Sequence, residues 1–139
     1  MSIGVALVLG PNINGTWPAE HLPSSSDNDG IFITVGSNLI PMGYGIEHLE
    51  EKNPVAWPGF ATVDDIAAFP PTMVNVNECD PLRDEGIEFY RLLLSAGVKA
   101  HCRQVMGTMH AADLFVSAFP DLSRMTARDI RSWVDECRS

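Results

Sequence analysis

Apolar and polar positions alternate in different ways along the chain, and the changes of pattern mark its elements. Residues 3–9, Ile-Gly-Val-Ala-Leu-Val-Leu, form a short unbroken apolar run. Such a run predicts a strand buried on both faces of a parallel sheet. From 11 to 60 the pattern dissolves into Pro, Gly, Asn and Ser, with Trp17 and Trp57 scattered among them. Asn28-Asp-Gly30 and Pro41-Met-Gly-Tyr-Gly45 predict turns there, and residues 46–52 a short helix. Regularity returns after Pro70-Pro71. Met73–Val76 predicts a strand, and Pro81 suits the first position of a helix, where its missing N–H costs nothing. Ile87, Phe89, Tyr90, Leu92, Leu93, Leu94 and Ala96 then make a broad stripe at helical spacing, stopped by Gly97. Lys99–Val105 alternates, which predicts an outer strand with one wetter face. Thr126-Ala-Arg-Asp129, with Asp where a capping box has Glu, predicts the start of a last helix. Its buried stripe would be Ala127, Ile130, Val134 and Cys137, with Trp133 alongside.

Strand, long connection, strand, helix, strand, helix is an α/β order with a parallel sheet. The 139 residues suffice for one domain with a real core. An irregular insertion spans about 12–60, and the regular elements lie in 61–139. The composition, 45% hydrophobic and 19% charged, excludes a disordered chain. A formal net charge of −9 excludes nucleic acid and anionic membrane surfaces as partners, since both need a basic face. No run approaches the length of a membrane span, and the first ten residues lack the basic start of a signal peptide. Three scattered cysteines fit reduced thiols in the cytoplasm, and in that compartment the Asn14-Gly-Thr16 sequon is a chance match.

Candidate chemistry concentrates in Asn77-Glu-Cys-Asp80-Pro-Leu-Arg-Asp-Glu-Gly86, where an apolar strand ends in four carboxylates and an arginine. Ligands of α/β proteins gather at the carboxyl ends of the strands. Asp80 follows one such end. His110 follows the next, after the linker Met106-Gly-Thr-Met109. Neighbouring parallel strands lie roughly 5 Å apart, so the two loops can set a carboxylate against an imidazole. The aspartate then fixes one ring nitrogen and leaves the other free as a base. Taken singly, Asp-Pro at a helix start is an ordinary cap and a histidine after a strand is commonly structural; the pair, acid then base on one edge, is what points to catalysis. Glu78, Asp84 and Glu85 read as local charge, favoured by the helix dipole and paired by Arg83. Trp17, Trp57 and Phe60 are candidates for lining an acyl pocket, with plain packing as the alternative. His48, His101 and the cysteines Cys79, Cys102 and Cys137 show no zinc-ligand spacing, His21 sits in a Pro/Ser loop with nothing beside it to suggest a role, and Gly36-Ser37 and Gly43-Tyr-Gly45 are not phosphate loops. No metal and no cofactor is expected.

The run Asp80-to-Gly86, with Gly97-Val98 at the helix end and Gly107-Thr-Met-His110 after the next strand, resembles the C-terminal half of an α/β-hydrolase, in particular the hormone-sensitive lipase-like carboxylesterases. The resemblance runs from Ile3 through most of the chain. It implies that Asp80 is the triad acid, that His110 is the triad base, that about 12–60 forms part of a cap, and that the substrate is a short-chain ester. Two departures stand out. Family members usually carry Gly and an aromatic residue after this His, whereas Ala111-Ala112 stand here. The family's Gly-x-Ser-x-Gly nucleophile motif and His-Gly-Gly oxyanion loop are absent, with Ser24-Ser-Ser26 in a polar loop and Ser37 lacking the following glycine. The resemblance therefore implies a partner: an N-terminal hydrolase half that brings Ser and oxyanion hole, or a second copy paired through the exposed first strand. The alternatives are a self-associating fragment without turnover and a small-molecule binding module.

Overall fold

The computed structural model describes residues 4–36 and 39–139, so Ile3 of the predicted first strand and Ser37 lie outside it. Three parallel strands, β1 (Ala6–Leu9), β2 (Thr72–Cys79) and β3 (Ala100–Met109), stand in the order β1-β2-β3. In register, Ala6 faces Thr72 and Thr72 faces Ala100. Between β1 and β2 the chain makes four short helices: α1 (Ser24–Asp27), α2 (Leu39–Tyr44), α3 (Ile46–Glu50) and α4 (Val63–Ile66), with a 3-10 turn at Pro58–Phe60. Helix α5 (Arg83–Ser95) joins β2 to β3, and α6 (Pro120–Arg138) ends the chain after a 3-10 turn at Ala112–Leu114.

β2 is the central strand, and Thr72–Asn77 are all buried. Its residues alternate between faces. Val74 and Val76 pack with Ile66, Phe89, Leu93 and Val98 on the α5 side. Met73 packs with Trp133 and Cys137 on the α6 side. Helix α5 ends as its glycine predicts: Val98 N–H returns to the Leu93 carbonyl at 3.0 Å and Gly97 N–H to Leu94 at 3.0 Å, with Leu93 and Val98 packed together.

Four local expectations are corrected. Pro41–Gly45 is not a turn, because α2 runs through Leu39–Tyr44. Ser24 and Ser25 are buried in α1, not in a polar loop. Thr126 does not open the last helix, which starts at Pro120, a residue pre-set for a first helical turn. Thr126 and Asp129 instead face β3, where Arg103 donates to Thr126 Oγ1 at 2.8 Å and pairs with Asp129 at 3.1 Å. The buried stripe of α6 accordingly shifts to Thr126, Trp133 and Cys137, and Ala127 is exposed. Finally, β3 continues to Met109, so residues 106–109 are strand and not linker.

Candidate active site

The site begins where β2 and β3 fall out of step. Asn77 faces Val105, but Cys79 already faces Met109, so β3 carries two extra residues across that interval. Gly107 takes a left-handed φ of 70° there, which a side chain would resist. Its N–H donates to Glu78 Oε2 at 2.5 Å, and Thr108 Oγ1 accepts from Asn77 Nδ2 at 2.8 Å. These bonds hold the bulge and deliver His110 above the end of β2.

Asp80 stands at that end with no exposed surface. Its Oδ1 accepts from Leu82 N–H at 2.9 Å and its Oδ2 meets His110 Nδ1 at 2.9 Å. With an acceptor on that side, Nδ1 carries the proton and Nε2 is left with its lone pair. Among the described residues, Nε2 makes no hydrogen bond. The imidazole is partly open, with its side chain 22% exposed. A buried acid beside a partly open imidazole is the asymmetry that proton transfer to a reacting group requires.

Three features missed from sequence fix this pair. Gly10, the first residue past β1, has φ 54°, and a Cβ there would lie 3.2 Å from His110 Cε1; β1 thus ends against the ring. Asp113, 4% exposed, accepts from Asn75 Nδ2 at 2.8 Å and anchors the turn after His110 to β2. Asn28 donates through Nδ2 to the Glu78 and Asp80 carbonyls at 3.0 and 3.2 Å, tying the insertion to the acid's own backbone. The only sequence signal for these was polarity inside an otherwise apolar strand (Asn75, Asn77) or beside the histidine (Asp113).

The other carboxylates behave unequally. Asp84 and Ser24 exchange bonds, Ser24 N–H donating to Oδ2 at 2.7 Å and Asp84 N–H to Ser24 Oγ at 3.0 Å. Burial alone would raise Asp84, but hydrogen bonds from Arg83 and Ser24 and the Arg83 charge outweigh it and hold the acid below its usual value. Glu85 is not the surface charge that the sequence suggests. It is 3% exposed, and its Oε2 accepts from the backbone of Asn14 at 2.7 Å and Ile13 at 3.4 Å. Burial pushes it up to about 8, against the pull of those two donors. Its Oε1 has no hydrogen-bond partner, and the Trp17 indole, likewise unpartnered, offsets the rise least of the contributing groups.

The three aromatic candidates lie elsewhere in the insertion. Trp57 is 1% exposed and meets Trp17 and Tyr44 edge-on at 6.4 and 5.3 Å; Phe60 closes the 3-10 turn beside it. A cavity of about 230 Å3 between the insertion and α5 is lined by Ile13, Leu22, Phe89 and Leu92, and by neither Asp80, His110 nor these aromatics. Among the described residues no three His, Cys, Asp or Glu side chains come together as metal ligands, and no helix is long and apolar enough to cross a membrane.

An Asp–His pair carried on the carboxyl ends of adjacent parallel strands, one after a bulge, defines the class that known proteins identify. A family model of the α/β hydrolase fold matches residues 5–114, and the chain belongs to that family. Its relatives are esterases of the hormone-sensitive lipase type. Esterase Est22, solved with p-nitrophenol, is 54% identical with a TM-score of 0.89 over 96% of this chain and 38% of that one. Brefeldin A esterase, a bacterial homologue of human hormone sensitive lipase, is 38% identical with a TM-score of 0.86 over 96% of this chain and 40% of its own. Esterase LipI of Mycobacterium tuberculosis is 26% identical over 112 residues, 80% of this chain and 35% of that protein. The chain therefore spans about two fifths of the length of the esterases it matches.

Proposed function

We propose that this chain supplies the acid and base of a serine carboxylesterase whose nucleophile and oxyanion hole reside in an N-terminal portion. The 2.9 Å contact between buried Asp80 and His110 Nδ1 carries the proposal. In the assembled site a serine hydroxyl attacks the ester carbonyl and His110 Nε2 takes its proton. The tetrahedral intermediate collapses to an acyl-enzyme, and the same nitrogen returns the proton to the departing alcohol. A water then repeats the sequence in reverse roles and releases the acid. Asp80 holds Nδ1–H throughout and stabilises the imidazolium. Without serine and oxyanion donors the chain alone has no route to acyl transfer at enzymatic rates.

The partner would meet β1. Among the described residues β1 pairs only with β2, and Leu7 is 43% exposed, so one strand edge remains open to another strand. The relatives' unmatched length supports an N-terminal hydrolase portion, continuous or separate, as its occupant. The same edge would also serve a homo-oligomer without turnover. Three free cysteines suit a cytoplasmic setting, and a short-chain ester such as p-nitrophenyl acetate is the substrate to test. Mixed with an N-terminal portion bearing Gly-x-Ser-x-Gly, the chain should hydrolyse it. His110→Ala and Asp80→Asn should each lower kcat by about 10⁴-fold. Full activity of His110→Ala in that assembly would falsify the assignment. Absence of turnover with every complementing portion would leave the self-associated form.

A further inference from the structure

Glu85 is the buried ionisable group that the acid–base pair does not use, and the chain joins the two by a short path. Glu85 Oε2 accepts from Asn14 and Ile13 N–H, residues 71 and 72 positions away. Pro11, four residues back from Gly15, is buried. Gly10 donates its N–H to the Asn75 carbonyl at 3.0 Å and comes near enough to the His110 ring that a Cβ there would stand 3.2 Å from Cε1. The stretch from Gly10 to Asn14 therefore runs from the imidazole to the Glu85 carboxyl with one end held by β2 and the other by Glu85. Resting on the reading of His110 as the base, we propose that Glu85 is a positioning residue. By holding the N–H groups of Ile13 and Asn14 it fixes the Gly10–Asn14 stretch, and through Gly10 it sets the orientation of His110.

The protonation state of the carboxyl matters to this clamp. Burial keeps Glu85 neutral at neutral pH, its acid rising to about 8. Beyond the Asn14 and Ile13 N–H groups and the Trp17 indole, the groups around it offer an anion little. Asp80 opposes ionisation. His21 and Glu88 share the cavity wall, but Glu88 is paired with Arg91 at 2.5 Å and Arg83 with Asp84 at 2.8 Å. No ion pair reaches Glu85 among the described residues. Ionisation places a second buried negative charge near Asp80, a cost relieved by admitting water and letting the 10–14 stretch shift.

The test is read on His110 itself. In the full chain carrying 13C-labelled histidine, the His110 Cε1–H resonance followed from pH 6 to 10 should show, beyond the ring's own titration, an inflection near pH 8. Glu85→Gln, which keeps an acceptor for Asn14 at equal size, should remove that inflection and leave the neutral-pH shift in place. An inflection that persists in Glu85→Gln, or none in the native chain, overturns the proposal whether or not the protein is an esterase. In a complemented enzyme Glu85→Ala should lower kcat about tenfold with KM unchanged, the split expected of a residue that acts only through the ring, and Glu85→Gln should restore kcat to within about twofold. Equal kcat for Glu85→Ala and the native enzyme, with His110→Ala inactive, rejects the positioning role alone.

Discussion

The two faces of the three-stranded sheet are built to different degrees. On the α5 side, Ile66, Val74, Val76, Phe89, Leu93 and Val98 make a closed cluster, joined by Val8 from β1. On the α6 side the buried apolar cluster is smaller, Met73, Trp133 and Cys137 with Val5 and Ile130 beside them, and a groove of about 200 Å3 runs past Met73, His101 and Trp133. Strand alternation puts Leu7 on the same face as Val5, and there it is 43% exposed. The α6 helix packs on β2 and β3 but leaves Leu7 of β1 exposed. The acid and base sit where both faces meet the strand ends, so the dyad is fully assembled while the surface beyond β1 is not. Under the proposed function, that open side is where an N-terminal hydrolase portion would add its strands.

The largest effect that separates the faces should be a pH dependence belonging to the α5 side alone. Glu85 has an ordinary value of 4.5 when exposed and about 8 when folded. The folded chain therefore binds more protons between those values. The Glu85 contribution to stability should be fully present below about pH 4.5, fall as pH rises, and be lost through about pH 8. At 1.36 kcal/mol per unit the full shift corresponds to at most about 5 kcal/mol. Urea unfolding at pH 5 and 9 measures it, and Glu85→Gln should flatten the difference; an undiminished slope in that variant would place the titrating group elsewhere. Next in size is a pair of truncations. Leu93→Ala, at 0% exposure on the closed face, should cost about 2–5 kcal/mol. Ile130→Ala, half-buried on the open face, should cost about 1 kcal/mol in the isolated chain. Equal losses would mean that the faces are equally packed.

What the sequence discloses follows the same division. The apolar part of the α5 face was largely legible, because the helical stripe, its terminal glycine and the adjoining strand obey local periodicities, although Leu94 of that stripe is exposed. Asp80 and His110 were legible because strand ends are where such pairs converge. The α6 face was misread: Thr126 and Asp129 have the spacing of a cap, and only Arg103, 23 residues before Thr126, converts them into a docking point for β3. Glu85 looked solvated for a similar reason. Its two donors come from a stretch more than seventy positions earlier, and no local pattern announces a carboxyl buried by distant backbone. Ser24 was assigned to a polar loop because its partner Asp84 lies 60 positions away, and the Asn28 turn, correctly placed, gave no sign that its side chain reaches the Glu78 and Asp80 carbonyls 50 and 52 positions on.

The smallest effect concerns the hinge between the faces. Ala111 follows His110 and adopts φ 53°, ψ 23°, the left-handed conformation. Members of the resembled family usually carry glycine at this position, and the geometry gives the reason: the chain must reverse at once so that Ala112 and Asp113 return to β2 and Asp113 can receive Asn75. An L-residue held there costs about 1 kcal/mol against glycine. Ala111→Gly should therefore raise the unfolding free energy by about 1 kcal/mol, reduced somewhat by the greater freedom of glycine in the unfolded chain. The gain should appear without any change in the His110 Cε1–H shift, because the Asp80 and Gly10 contacts that set the ring are untouched. A loss of stability would show that the Asp113–Asn75 anchor, and not the backbone angle, limits this turn, and would move the weak point of the α6 face from residue 111 to the groove beside Trp133.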